Sequence, residues 1–446
     1  MIIIDTALNQ CIKANNPVKV ALVGAGFMGR AITNQIVNSV RGIELVAISN
    51  RTMTNAARSW REAGISNFKT VSKLSILNDC IINKIPVIIE DALMLCEADG
   101  IDVLIEATGA IEFGAKFAMK AIECSKDVVT MNVELDATLG SIICQYADKA
   151  GLIFSLSDGD QPGVQMNLHR FVKSIGFNPL VCGNIKGLQD CYRNPTTQKE
   201  FAEKWGQNPY MVTSFADGSK ISFEQSCVAN ATGMSVEMRG MRGSNFEDHI
   251  DNLCNCNNYN IDMLQSLGGV VDYTVKSKPS PGVFVLATHD DIKQRHMLNL
   301  YKMGRGPIYS FYTPYHLCHF EVPLSVARVA LFRDSVLSAK SPSVDVVALA
   351  KRDLKAGDYI DTIGGYNTYG ECEKYSISLA ENLLPQGLAE GCRIKHDLPK
   401  NSVIKYDDVD LPKGRVCDIL RAEQNKLFPV IKNLPSQRQG MTRPDP

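Results

Sequence analysis

Short apolar runs alternate with segments of helical periodicity along the first third of the chain. VKVALVGAG, GIELVAISN, IDVLIEATG and DVVTMNV are apolar, whereas FMGRAITNQIVNSV, NAARSWREAGI and FGAKFAMKAIECS are amphipathic. Strands that alternate with helices of this length indicate βαβ units, whose parallel sheet is covered on both faces. We therefore predict an α/β domain with a doubly wound parallel sheet over residues 1–155.

The alternation stops after this first domain. Helical stretches such as MNLHRFVKSIGF then mix with short strands and with Gly/Pro-rich segments such as KSKPSPGVF. This mixture predicts a central α+β domain for catalysis and oligomerisation over residues 156–343, ending near the linker-like KSPSVDV. Glycine turns and short strands in DLKAGDYIDTIGG and DLPKNSVIKYDDV predict a small β-rich module over residues 344–446.

Composition excludes several functional classes. The 446 residues are 45% hydrophobic and 21% charged, as in ordinary globular proteins, and the net charge of -1 favours neither nucleic acid nor a membrane surface. No apolar run approaches the ~20 residues of a spanning helix. MIIIDTALNQ lacks the basic and apolar regions of a signal peptide, so we expect a cytoplasmic protein whose 14 cysteines are reduced thiols.

A glycine-rich turn follows the first apolar run. Gly24, Gly26 and Gly29 form G-x-G-x-x-G between a predicted strand and a predicted helix. The first glycine permits the tight turn, the second lets the backbone approach a pyrophosphate, and the third lets helix and strand pack closely. The context predicts a Rossmann-type dinucleotide site, and the alternative is a tight turn without a ligand.

The end of the second strand indicates which dinucleotide binds. An acidic residue there would bind the ribose 2′-OH of NAD, but this chain offers Asn50, Arg51 and Thr52. A guanidinium forms charge-assisted bonds with a 2′-phosphate, so NADPH is favoured. The alternative is that Arg51 is a solvated surface residue.

Further polar and small residues follow later strands of the predicted sheet. Ala107, Thr108 and Gly109 are small, as close approach of the nicotinamide half requires, and TMNVELD brings Asn132 and Glu134 to the same edge. The predicted cofactor-binding residues are Gly24, Gly26, Phe27, Met28, Gly29, Asn50, Arg51, Thr52, Ala107, Thr108, Gly109, Asn132 and Glu134.

SLSDGDQPGV places two carboxylates, Asp158 and Asp160, after an apolar strand. In a partly desolvated site two close carboxylates repel each other unless a cation or a donor lies between them. Oxygen ligands suit Mg²⁺ or Mn²⁺, so Asp158 and Asp160 are candidate metal ligands. They are alternatively turn formers at the surface.

Two groups of cysteine and histidine residues are possible zinc sites. Cys254 with Cys256 forms one group, and His316 with Cys318 and His319 forms the other. Neither has a second half at zinc-site spacing, so packing or surface use is favoured for both.

Three basic clusters in the central domain predict a phosphate site, because glycines beside basic residues add backbone N–H donors. Lys186 with Asp190 lies in GNIKGLQDCYRNPTT, Arg242 lies in EMRGMRGSNFED, and Lys302 with Arg305 lies in LYKMGRGPIYSFY. Each cluster alone is alternatively a solvated face.

These segments resemble a known family. VALVGAGFMGRA, IEATGAIEFGAK, VVTMNVELDATLG and SLSDGDQPGV follow the order of a homoserine dehydrogenase-like half, and the C-terminal AKRDLKAGDYIDTIGG and LAEGCRIKHDLPKNSVIKYDDVDLP resemble a SAF-type module. The combination resembles the second, DXR-like type of 1-deoxy-D-xylulose 5-phosphate reductoisomerase. The resemblance implies an NADPH-dependent enzyme of isoprenoid precursor biosynthesis (the MEP pathway) that acts on a small phosphorylated sugar as a homodimer.

The resemblance also implies roles for individual residues. A divalent cation held by Asp158 and Asp160 would assist the rearrangement to 2-C-methyl-D-erythritol 4-phosphate, and hydride transfer would follow. Lys186 would serve the substrate oxygens, with Asp190 beside it, and the phosphate would lie against Arg242 with Lys302 or Arg305.

Two alternatives stay open. The chain is otherwise an NAD(P)-dependent dehydrogenase of another polyol, sugar acid or homoserine-like substrate, without rearrangement. A lysine expected of a homoserine dehydrogenase is missing from MNVELD, which argues against an amino-acid substrate. The other alternative is a non-catalytic NADP(H)-binding regulator, disfavoured by the polar crevice.

Overall fold

A computed structural model describes residues 3–255 and 259–429 of the chain. The N-terminal elements are α1 (Ile4–Lys13), β1 (Val18–Val23), α2 (Phe27–Ser39), β2 (Ile43–Ser49), α3 (Met53–Glu62), β3 (Lys69–Thr70), α4 (Leu74–Ile82), β4 (Val87–Ile89), α5 (Leu93–Glu97), β5 (Val103–Glu106), α6 (Ile111–Glu123), β6 (Asp127–Thr130), α7 (Val133–Lys149) and β7 (Phe154–Leu156).

These seven strands form one parallel sheet in the order β3-β4-β2-β1-β5-β6-β7. Helices cover both faces, so β1 and β5 are buried along almost their whole length. The prediction of a doubly wound α/β fold is confirmed. Strand β3 was not predicted, because its two residues are exposed and lack an apolar run.

The central elements are α8 (Gln161–Ser174), β8 (Asn178–Lys186), α9 (Lys199–Trp205), α10 (Pro209–Asp217), α11 (Ser219–Thr232), β9 (Ser244–Asn245), α12 (Ile261–Ser266), β10 (Val270–Val275), β11 (Gly282–Thr288), α13 (Ile292–Leu300), β12 (Ile308–Thr313) and α14 (Cys318–Ala327). A 3₁₀ helix spans Ile250–Asn255, and a π-helical turn, Arg328–Phe332, follows α14.

A mixed sheet in the order β12-β11-β8-β10-β9 forms the centre of this second part. Strand β8 pairs parallel with β10 and antiparallel with β11. Helices α8 and α11 pack on this sheet, while α11 also packs against α7 and α14 returns to α2. The central part therefore packs against the first domain at helices α7 and α2.

The C-terminal elements are β13 (Val344–Ala350), β14 (Thr368–Lys374), α15 (Tyr375–Ala380), β15 (Arg393–Ile394), β16 (Val409–Asp410) and α16 (Val416–Leu427), with 3₁₀ turns at Gln386–Leu388 and Tyr406–Asp408. Strands β13 and β14 pair antiparallel and pack on α11. Helix α16 returns to α6 and α7 of the first domain, where buried Arg421 pairs with Asp345 of β13.

Among the described residues, none of the helices has the length and apolar character required to cross a membrane. The domain boundaries at 155/156 and 343/344 and the SAF-like character of the last module stay predictions.

Candidate active site

A cavity of about 1410 Å³ lies at the carboxyl ends of β1 and β5. The sheet order reverses between these two strands, which is where open α/β sheets bind their ligands. The first domain, the central part and the C-terminal module all line the cavity, the last through Gly387, Glu390, Arg415 and Cys417. The C-terminal module therefore reaches the site, which the sequence did not indicate.

The glycine turn has the tight geometry that its sequence predicts. Gly24 has φ +103°, and a Cβ there would lie 2.6 Å from the Ala107 carbonyl oxygen. A Cβ on Gly29 would lie 2.0 Å from the carbonyl oxygen of Gly24, so only glycine lets α2 start so close to β1. Gly26 lines the cavity, and a Cβ there would meet nothing within 4 Å. The turn fits a dinucleotide pyrophosphate at the N-terminus of α2.

Asn50 holds the end of β2 against this turn. Its Oδ1 accepts from the Ala25 backbone N–H at 3.0 Å, and its Nδ2 donates to the Thr52 carbonyl at 2.9 Å. Asn50 thus supports the loop through its own hydrogen bonds. The neighbouring Arg51 is exposed and makes no hydrogen bond or ion pair with any residue of the described ranges.

The end of β5 is fixed by a buried carboxylate. Glu106 accepts from the Thr108 backbone N–H at 2.8 Å, from Thr130 Oγ1 at 2.6 Å and from the Thr108 hydroxyl. Burial raises the pKa of Glu106, and these hydrogen bonds oppose the rise. They fix the backbone of the Ala107–Thr108–Gly109 segment, which lines the cavity beside Phe27 and Met28 as predicted.

Asn132 and Glu134 have different roles at the start of α7. Asn132 is buried, and its Oδ1 accepts from the Leu135 N–H at 3.0 Å, so it caps the helix and does not line the cavity. Glu134 lies two residues later and lines the cavity. Of these two predicted cofactor contacts, only Glu134 lies at the cavity wall.

A lysine absent from our candidates faces Glu134. Lys220, in the first turn of α11, donates to Glu134 Oε1 at 3.1 Å, and both side chains are almost completely buried. Burial by itself would lower the pKa of Lys220, but the surrounding carboxylates, Glu134 foremost, raise it above the ordinary lysine value. At neutral pH the cavity therefore contains a charged, oriented ammonium group.

Glu224 lies one helical turn after Lys220 and also lines the cavity. Its Oε2 accepts from Asn184 Nδ2 at 2.9 Å, and the Gln161 amide, oriented to donate, lies 2.6 Å from the same oxygen. Burial raises the pKa of Glu224 to about 8, although Lys186 at the end of β8 opposes the rise. Near neutral pH this group can hold or release a proton.

The two aspartates of SLSDGDQPGV point in different directions, and only one of them lines the cavity. Asp158 is buried outside the cavity, where it accepts from Asn167 and lies 3.6 Å from Arg328 Nη1. Burial raises its pKa, while Arg328 opposes the rise. Asp160 alone lines the cavity. A Mg²⁺ or Mn²⁺ site shared by this pair stays a prediction.

Asp160 caps α8, with Oδ1 3.0 Å from the Gln161 N–H and Pro162 in the first helical turn. The turn before it presses against the start of α14: Gly159 has φ +85°, and a Cβ there would lie 2.4 Å from the Cys318 carbonyl oxygen. This contact brings His316 and Cys318 to Asp160. Their ligand atoms all lie within 4.8 Å of one another.

The three basic clusters do not all reach the cavity, and the phosphate site stays a prediction. Arg242 pairs with Glu237 and lies over the Tyr259 ring, and Lys302 and Arg305 are exposed on the loop after α13. Asp190 accepts from Arg193 at 3.0 Å. None of these four candidates, Asp190, Arg242, Lys302 and Arg305, lines the cavity; of the predicted substrate-binding residues, Lys186 and Asp160 do.

The sequence did not single out Lys220 or Glu224, and it favoured packing or surface use for His316 and Cys318, although all four line the cavity. The i, i+4 spacing of Lys220 and Glu224 on one helix face was the available signal, but nothing local linked it to Glu134. His316 and Cys318 were weighed with His319, which lies outside the cavity with its ring 4.1 Å from that of Phe320. Cys256, the partner considered for Cys254, lies outside the described residues.

Two family sequence models match this chain. That of the homoserine dehydrogenase NAD binding domain matches residues 24–156, and that of the catalytic domain of oxidoreductase DRL matches residues 159–322. No curated protein matches the sequence.

Solved structures match this chain at low sequence identity and low TM-score. A probable dehydrogenase from Thermotoga maritima is 12% identical over 61% of this chain and 73% of its own, with a TM-score of 0.37. The myo-inositol dehydrogenase from Lactobacillus casei, in complex with NAD(H) and myo-inositol, is 15% identical over 66% of this chain and 74% of its own, with a TM-score of 0.36. The glycine turn, the crevice and the two family matches together identify this chain as an NAD(P)-dependent oxidoreductase of the dehydrogenase type.

Proposed function

We propose that this chain interconverts a hydroxyl and a carbonyl group on a small polyol, sugar acid or homoserine-like substrate, without rearrangement of the carbon skeleton. The observation that carries the proposal is the buried Lys220–Glu134 pair in the crevice beside the glycine turn. Lys220 is an oriented proton donor and Glu134 its acceptor. Both line the same cavity as the segments predicted to bind the cofactor.

The residues that would hold the dinucleotide are the glycine turn, Asn50, Arg51 and the segment Ala107–Gly109. When bound, the dinucleotide supplies or accepts the hydride. The exposed Arg51 and the absence of an acidic residue at the end of β2 support NADPH over NADH.

Lys220 would act on the reacting oxygen of the substrate. In the direction of reduction its ammonium group donates a proton to the oxygen that becomes a hydroxyl, and in the direction of oxidation the neutral amine accepts the hydroxyl proton. Glu134 holds the ammonium in place at 3.1 Å and keeps it charged.

The charges around the cavity support an uncharged or weakly anionic substrate over a sugar phosphate. Glu134, Asp160 and Glu224 line the wall together with two lysines, Lys186 and Lys220. Carboxylates and amides bind hydroxyl groups, whereas a phosphate favours unpaired basic side chains. Of the basic residues on the wall, Lys220 is paired with Glu134 and Arg415 with Asp418, while Arg242, Lys302 and Arg305 lie outside the cavity. A hydroxyl-rich substrate suits this lining.

The second candidate is the reductoisomerase reaction on 1-deoxy-D-xylulose 5-phosphate, which the sequence resemblance implies. The match of residues 159–322 to the DRL catalytic domain supports it. The dispersal of the predicted phosphate-binding residues weighs against it.

One assay separates the two candidates. Purified protein is supplied with NADPH or NADP⁺, and reduced nicotinamide is followed with a panel of polyols, sugar acids, homoserine and 1-deoxy-D-xylulose 5-phosphate, with and without added Mn²⁺. We expect turnover with at least one substrate that needs no rearrangement. Turnover confined to 1-deoxy-D-xylulose 5-phosphate would overturn the first proposal in favour of the second.

Replacing Arg51 by alanine tests the cofactor preference. We expect the dissociation constant for NADPH to rise ~10-fold, because an exposed charge-assisted contact with the 2′-phosphate is lost, while that for NADH changes little. Both constants are measured by quenching of protein fluorescence. Arg41→Ala is the control, since the exposed Arg41 precedes β2 at its opposite end. An equal loss for both dinucleotides would contradict the preference.

A further inference from the structure

We propose that Asp160, His316 and Cys318 form a binding site for one divalent cation of the zinc class, open to the cavity on its remaining side. The three side chains line the same cavity, and all three are only partly buried. The proposal goes beyond dehydrogenase activity and does not depend on it.

The separations of the ligand atoms fit a small tetrahedral ion. His316 Nδ1 lies 3.5 Å from Cys318 Sγ, and Cys318 Sγ lies 4.0 Å from Asp160 Oδ1. Tetrahedral bonds of about 2.0–2.3 Å place ligand atoms roughly 3.3–3.8 Å apart. These two separations lie within a few tenths of an ångström of that range, and the third, between His316 and Asp160, is at most 4.8 Å.

The backbone presets this arrangement. Gly159 allows its turn to pack against the carbonyl oxygens of Leu317 and Cys318, where a Cβ would lie at 2.9 and 2.4 Å. Asp160 is the N-cap of α8, and Cys318 is the first residue of α14. The carboxylate and the thiol therefore extend from two helix ends that pack together. The site is thus built by a contact between distant segments and not by a local sequence motif.

The donor set selects the ion. One imidazole nitrogen, one thiol sulfur and one carboxylate oxygen match zinc or cobalt, whereas Mg²⁺ prefers oxygen ligands alone. Three protein ligands that leave a fourth position open are typical of catalytic zinc sites. An ion here would present its open position to the cavity, where a substrate hydroxyl or carbonyl oxygen can bind.

The test uses the full-length protein after chelator treatment and titration with Co²⁺. We expect one cobalt per chain and a thiolate-to-cobalt charge-transfer absorption. Cys318→Ser should abolish this absorption and weaken binding on the order of 100-fold or more, because even loss of an outer partner costs ~10–100-fold. Asp160→Asn should weaken binding while keeping the α8 cap, since asparagine caps equally well.

Cys124→Ser is the matched control, because Cys124 is also half-buried but lies outside the cavity. Lack of stoichiometric cobalt binding, or an unchanged absorption in Cys318→Ser, would overturn the metal site. NADPH binding and turnover of the chelated protein are measured in parallel. Their persistence without metal would leave the proposed dehydrogenase function intact, so the two proposals fail separately.

Discussion

Lys220→Met is expected to lower kcat by ~10²–10⁴-fold, the range that general acid–base groups contribute. The substitution keeps the length and most of the volume of the side chain but removes the ammonium that lies 3.1 Å from Glu134. Without it, Glu134 loses its paired proton donor in the crevice. Affinity for NADPH should change little, because the glycine turn and Arg51 are untouched.

Three measurements distinguish a proton-transfer role from a structural one. Circular dichroism checks that the variant is folded, fluorescence quenching gives its NADPH affinity, and Lys220→Arg restores the charge without the lysine geometry. Lys199→Met is the surface control, since Lys199 is exposed in a 3.8 Å pair with Glu203. Retention of more than a tenth of wild-type kcat in folded Lys220→Met would remove the acid–base assignment.

Lys351→Met is expected to lower the free energy of unfolding by about 3–5 kcal/mol, the usual cost of leaving one partner of a buried ion pair alone. Lys351 joins the C-terminal module to the central part: it donates to Asp217 Oδ2 at 2.8 Å, to the Gly365 carbonyl at 2.8 Å and to the Arg193 carbonyl at 2.9 Å. All three ammonium protons are thus used, and Asp217 is fully buried.

Urea denaturation followed by circular dichroism measures this loss. Lys355→Met is the matched control, because Lys355 makes a 2.7 Å pair with Asp397 at the surface of the same module, and its loss should leave the unfolding midpoint unchanged. The double variant Lys351→Met with Asp217→Asn should recover part of the stability, because the uncompensated charge is gone. Equal midpoints for the Lys351 and Lys355 variants would contradict the assignment.

Local pattern was sufficient for the first domain. Buried parallel strands are continuous apolar runs, so the strands could be predicted from the sequence. A G-x-G-x-x-G turn between a strand and a helix is typical of dinucleotide binding, so the roles of Gly24, Gly26 and Gly29 could be predicted from their spacing. Glu134 was also found this way, because the carboxyl ends of parallel strands meet at one edge. Asn132 follows the same rule but serves as a helix cap.

Local pattern failed where the site combines distant segments. Asp158 and Asp160 are two residues apart, yet the turn at Gly159 sends one against Arg328 and the other into the cavity. The basic clusters looked equally suited to bind phosphate, but Arg242 is paired with Glu237, and Lys302 and Arg305 are exposed outside the cavity. Side-chain direction and ion pairing of this kind are set by packing, which spacing along the chain does not encode.

The sequence by itself determined the doubly wound α/β domain, the glycine turn and the nicotinamide cofactor class, because each depends on periodicity and on residues adjacent in the chain. Only the tertiary structure decided which charged groups meet. It brings Lys220 of α11 to Glu134 of α7, and it brings His316 and Cys318 to Asp160. The physical reason is that helix and loop packing across the crevice, between segments up to about 160 residues apart, sets these distances.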